Sequence, residues 1–140
     1  MASPILPLAE TLPPRDQPPT PAQEHEIATL VERFYDRARE DPALGPIFNA
    51  RVASWDAHLA TMRDFWSSVV YRTGRYAGRP LETHNAIDEL RPEHFPLWLG
   101  LWSDVVDEVI APDRRLPFKE SARRMADSMA PRLAARAADG

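Results

Sequence analysis

Three side chains in this 140-residue sequence place polar groups where apolar ones belong, and a fourth stands in a segment between helices. Tyr35, His58 and Trp98 fall on the apolar faces of helical repeats, and His84 lies in a polar, weakly periodic stretch. A neutral imidazole can bind a metal or take a proton, and a phenol or an indole N–H can donate a hydrogen bond. Once buried, each of these groups requires a partner. Either the four satisfy one another in a core, or they surround a ligand. Motifs for other chemistries are missing: there is no Gly-rich phosphate loop, HExxH, EF-hand loop or G-x-S-x-G. Ser67-Ser68 has no base and acid in view to activate it. The chain has no cysteine, which excludes disulfides, thiolate zinc sites, iron–sulfur clusters and cysteine nucleophiles. Imidazole and oxygen are left as metal ligands. His25 and His94 read as surface or packing residues.

The elements that must position these groups are helical. Thr20-Pro21-Ala22-Gln23 is a capping box with proline at the first helical position. The helix it starts turns Ile27, Leu30, Val31, Phe34, Tyr35 and Ala38 to one side. It should end at Asp41-Pro42, because the residue before proline is pushed out of the α region. Pro42–Phe48 reads as a tight turn or a short 3₁₀ segment carrying Phe48. Ser54–Thr73 is a second long helix, with Trp55, His58, Leu59, Met62, Phe65, Trp66, Val69 and Val70 at steps of three, four and one. Ser54 is its N-cap and Gly74 its stop. Gly74–Pro80 is a loop with two glycines, and Leu81–Leu90 is at most a short helix. A third long helix runs from Pro92 or Glu93 to Ala111. It must start there, since Pro96 is tolerated only in a first turn. The last runs from Pro117 to Ala138, with Pro131 expected to kink it or end its regular part. No segment alternates with period two, so the fold class is all-α.

The length suits one domain. Seven of the 15 prolines fall in the first 21 residues, so residues 1–19 read as a Pro-rich, disordered tail ahead of a domain over 20–140. The net charge of −4 argues against nucleic acid or an anionic membrane as partner. No apolar run reaches a membrane span, and the N-terminus lacks the basic and apolar regions of a secretion signal. A cytoplasmic location is the expectation.

Four tryptophans, three tyrosines and five phenylalanines are many flat rings for a small helical core. With one histidine on a long helix and another on a poorly helical segment, they suggest a flat apolar ligand held between the two. Haem meets that description, because a neutral imidazole binds its iron from one side and polar donors act on the other. The competing reading is a haem-free helical interaction module, its polar residues satisfied internally, docking through the Pro-rich tail.

Four blocks in order carry a specific likeness: LVERFYDRAREDPALGPIF (Leu30–Phe48), W-x-x-H-L-x-x-M-x-x-F-W-S (Trp55–Ser67), R-Y-x-G-x-P-L-x-x-H (Arg75–His84) and H-F-x-x-W-L-x-L-W (His94–Trp102). In these the chain resembles the group III truncated haemoglobins, the short bacterial globins, and like them it lacks the Gly-Gly motifs of other truncated globins. The resemblance implies a truncated globin fold, a two-over-two helical sandwich around one haem b. It makes His84, fourteen residues before Trp98, the proximal iron ligand and His58 the distal histidine. Tyr35 and Trp98 match the distal tyrosine and tryptophan. Phe48 should pack on the haem edge, and Met62, Phe65 and Trp66 should line the pocket. Arg75 and Tyr76 are expected at the haem edge or propionates. Glu82, Asn85 or a main-chain carbonyl would take the second N–H of His84.

The function that follows is binding of dioxygen and other diatomic ligands inside a polar cage formed by Tyr35, His58 and Trp98, with slow release. His58 would be a third donor, a gate or a sixth iron ligand. Nitric oxide dioxygenation or peroxidase-like chemistry would need a separate reductase, since no flavin or nicotinamide domain is attached.

Overall fold

The chain enters its first helix at Thr20, whose hydroxyl accepts from the Gln23 N–H at 3.2 Å while the Thr20 N–H donates to Gln23 Oε1 at 2.8 Å. These bonds satisfy two donors that a helix start leaves orphaned. The computed structural model describes residues 18–78, 83, 84, 87 and 89–139. The tail over residues 1–17 lies outside them, as do parts of the Gly74–Pro80 and Leu81–Leu90 segments. The first helix, α1 (Pro21–Glu40), buries the six residues its periodicity predicts.

The expected tight turn or 3₁₀ segment is a turn over residues 42–44 that runs on into a short helix carrying Phe48, α2 (Gly45–Arg51). Asp41 sets the turn. Its Oδ1 accepts from the N–H groups of Ala43 and Leu44, at 2.8 and 2.9 Å, which folds the chain back immediately. Pro46 then falls in a first turn, where its missing N–H is no loss. Gly45 is required there, because a Cβ would stand 2.4 Å from the Arg39 carbonyl oxygen.

Ser54 caps α3 (Trp55–Tyr71), its hydroxyl accepting from the Ala57 N–H at 3.3 Å. The helix stops before Gly74. Arg72 takes the left-handed cap, with φ 59° and ψ 36°, a conformation that usually falls to glycine. Side-chain bonds hold it: Thr73 Oγ1 lies 2.8 Å from the Ser67 hydroxyl and 3.3 Å from that of Ser68. The Ser68 hydroxyl also accepts from the Tyr76 N–H at 2.9 Å. Ser67-Ser68 thus ties the loop to the helix.

Helix α4 (His94–Val109) starts where Pro96 requires. A 3₁₀ turn (Pro112–Arg114) leads into α5 (Arg115–Asp139), which begins before Pro117 and continues through Pro131. Glu26 on α1 binds this turn by accepting from the Ala111 N–H and from the Arg114 guanidinium.

All regular structure among the described residues is helical. Helix α1 packs on α3, and α4 on α5. Contacts of α1 with α4 and of α3 with α5 join these pairs into two layers of two helices. The largest fully buried side chains are Trp102, Phe34 and Phe118, where the layers meet. No helix among the described residues is long and apolar enough to cross a membrane.

Candidate functional site

The two layers do not close completely. Between them and α2 lies a cavity of about 490 Å³, within the range that takes a small-molecule ligand. Helix α1 contributes Phe34 and Tyr35, α2 contributes Phe48 and Arg51, and α3 contributes His58, Met62, Phe65 and Trp66. Tyr76 comes from the loop after α3, and Thr83, His84, Ile87 and Leu90 from the segment beyond. Helix α4 adds His94, Phe95, Trp98 and Trp102, and α5 adds Met125 and Met129.

Tyr35 is buried, and its ring meets those of Phe48 (5.3 Å) and His58 (4.9 Å, 84°) edge-on. Burial pushes its phenol well above the usual tyrosine range, so the hydroxyl keeps its proton as a donor. His58 stands between Tyr35 and Trp55, whose ring is 5.7 Å away. The Arg39 guanidinium covers that Trp55 ring from 4.2 Å. The His58 Nε2 atom is buried with no hydrogen-bond partner. An orphaned polar atom costs about 1–3 kcal/mol, which a ligand in the cavity would relieve. His58 is held below the ordinary histidine pKa, first by burial and second by the nearby His84. It is therefore neutral at pH 7.

Trp98 is half-buried and lies nearly parallel to Trp102 (6.4 Å, 21°), which stacks on Trp66 (4.3 Å, 22°). The Trp102 indole N–H is taken by the Phe118 carbonyl at 3.1 Å. His84 is half-buried and helical together with Thr83. Its carbonyl accepts from the Ile87 N–H at 3.1 Å. The expected partners Glu82 and Asn85 lie outside the described residues.

Of the residues expected at the site, Tyr35, Phe48, His58, Met62, Phe65, Trp66, Tyr76, His84 and Trp98 line this one cavity. The Tyr76 ring meets Phe65 edge-on at 5.0 Å, and a Cβ on Gly78 would stand 2.1 Å from its hydroxyl. Arg75 is not brought there. Its guanidinium donates to both Glu24 carboxylate oxygens, at 2.9 and 2.8 Å, which holds it against α1. Among the described residues, the cation on the cavity is Arg51, paired with Glu89. His94, expected at the surface or in packing, also lines the cavity. Its Nδ1 accepts from the Arg91 N–H at 2.8 Å, so the ring proton sits on Nε2. That nitrogen is then a donor and not a metal ligand. Met125 and Met129 belong to an inner helical face whose pattern does not separate core from cavity.

No group of three metal-binding side chains occurs among the described residues. The lining, largely aromatic and aliphatic with three methionine thioethers, suits a flat apolar ligand.

Comparisons with known proteins bear on this geometry. The chain is 31% identical to the group 3 truncated hemoglobin ctb of Campylobacter jejuni over 107 residues, 74% of this chain and 84% of that relative. It is also similar to the crystal structure of the group III truncated hemoglobin from Campylobacter jejuni. The TM-score is 0.74 at 31% identity, covering 79% of this chain and 90% of that one. No protein-family model matches the chain.

Proposed function

The chain belongs to the group III truncated haemoglobins, and from that premise we propose that its cavity binds haem b and, on it, dioxygen or another diatomic ligand. The observation that carries the reading is the buried, unpartnered Nε2 of His58 in a cavity that His84 also lines. In this reading His84 would hold the cofactor's iron through a neutral ring nitrogen. Phe48, Met62, Phe65, Trp66 and Tyr76 would enclose the ring, and Tyr35, His58 and Trp98 would face the diatomic ligand. Haem supplies the iron at which such a ligand binds and gains negative charge.

This chain's own residues then govern retention. The Tyr35 hydroxyl, kept protonated by burial, and the Trp98 indole N–H are donors to that charge. Hydrogen bonds to charged groups contribute about 1.5–3 kcal/mol each, so one donor slows release by roughly 10- to 150-fold. His58 is neutral, and its Nε2 is available as a third polar contact. The aromatic walls exclude water, which strengthens each bond. Slow release suits redox chemistry on nitric oxide or peroxide, fed by a separate reductase, better than it suits transport.

The test is the dioxygen release rate of the ferrous protein. Tyr35→Phe and Trp98→Phe should each raise it at least several-fold. Unchanged release in both variants would overturn the polar cage.

A further inference from the structure

A haem carries two carboxylates on one edge, and apolar walls cannot hold them. Among the described residues that line the cavity, Arg51 is the one with a permanent positive charge. It is the last residue of α2 and is exposed, so its head lies at the cavity's mouth. A carboxylate already occupies it: Glu89, from the segment before α4, takes Nε at 3.2 Å and Nη2 as well. This fork-to-fork geometry is the one in which a guanidinium holds any carboxylate. Both partners are exposed, and ion pairs of that kind are weak and easily exchanged. His94, whose Nδ1 accepts from the Arg91 N–H, presents Nε2 as a donor on the same lining. Arg75, the arginine that the sequence suggested for this role, is held by Glu24.

We propose that Arg51 binds a carboxylate of the cofactor, and that Glu89 is an internal carboxylate which the cofactor displaces. Glu89 competes with the cofactor for the same guanidinium. The inference rests on the haem reading of the cavity.

Hemin transfer from the full-length chain to an excess of apomyoglobin tests it. Arg51→Gln should release hemin several-fold faster. Glu89→Gln should release it at the wild-type rate or more slowly, because the competitor is gone. Hemin dimethyl ester, whose carboxylates are capped, should leave the wild type faster than hemin does, and Arg51→Gln should add nothing further. Circular dichroism of each variant checks that its helices are intact. Unchanged hemin loss in Arg51→Gln would overturn the proposal. Equal acceleration in Arg51→Gln and Glu89→Gln would also overturn it, making the pair a clasp that stays shut over bound cofactor. A wild-type chain that takes up no hemin would overturn this inference together with the reading beneath it.

Discussion

In the proposed reading, the surroundings of His58 suit it to contact a ligand. Its Nε2 is buried without a partner, a cost the fold bears in order to keep a polar atom in an apolar chamber. Burial, and then the proximity of His84, hold its pKa below the ordinary 6.5. The unfolded chain therefore binds more protons than the folded one between the lowered value and 6.5. In that window stability rises with pH. The contribution is complete above about 6.5 and is lost as pH falls towards the lowered value. Urea denaturation of the cofactor-free chain should show this slope, and His58→Gln should flatten it; an identical profile in the variant would contradict the assignment. The two tryptophans of α4 divide their tasks differently. Trp102 places its N–H on the Phe118 carbonyl and stacks on Trp66, so Trp102→Phe should destabilise the fold by about 1–3 kcal/mol. Trp98 lies at the cavity and is half-buried, so Trp98→Phe should alter ligand release with little change in the urea midpoint.

The elements that position these groups depend on a few local decisions. Gly45→Ala should cost about 1–3 kcal/mol, since the new methyl would meet backbone and not a movable side chain. An unchanged denaturation midpoint would show that α2 can shift away from α1. Arg72→Gly should raise stability by about 1 kcal/mol, because an L side chain in the left-handed region is strained; φ is 59° there. What could be read beforehand follows the reach of the chemistry involved. The Thr20 capping box, the Ser54 cap and the start of α4 ahead of Pro96 are decided within a few residues, and the sequence displays them. That the turn after α1 runs on into helix α2 was hidden, because a side chain four residues upstream, Asp41, sets that helix's start. The stop of α3 at Arg72 was hidden because hydroxyl bonds from Ser67 and Ser68 to Thr73 outweigh the preference for glycine.

At the scale of the whole molecule, the two layers of helices leave a chamber that no single element contains. Periodicity identifies inner faces, and polar residues on them stand out, which is how Tyr35, His58 and Trp98 were legible. Helical periodicity cannot tell an inner residue of the core from one on the chamber wall, so Met125 and Met129 carried no mark. Nor can composition show that Arg75 is held by Glu24 while Arg51 stands at the chamber. His84 lies in a weakly periodic segment, and only its likeness to a globin motif singles it out. A ligand that binds only the folded chain stabilises it by mass action, about 2.7 kcal/mol at a hundredfold excess over Kd. Added hemin should therefore raise the thermal midpoint of the cofactor-free protein, and a midpoint independent of hemin would count against a built site. The most direct measurement is an optical titration of the purified chain with hemin, run beside His84→Gly with and without added imidazole. The account predicts one hemin per wild-type chain with a sharp Soret band, a weakened or altered band in His84→Gly, and recovery of the wild-type spectrum when imidazole is added. A chain that takes up no hemin, or a His84→Gly spectrum identical to that of the wild type, would contradict it.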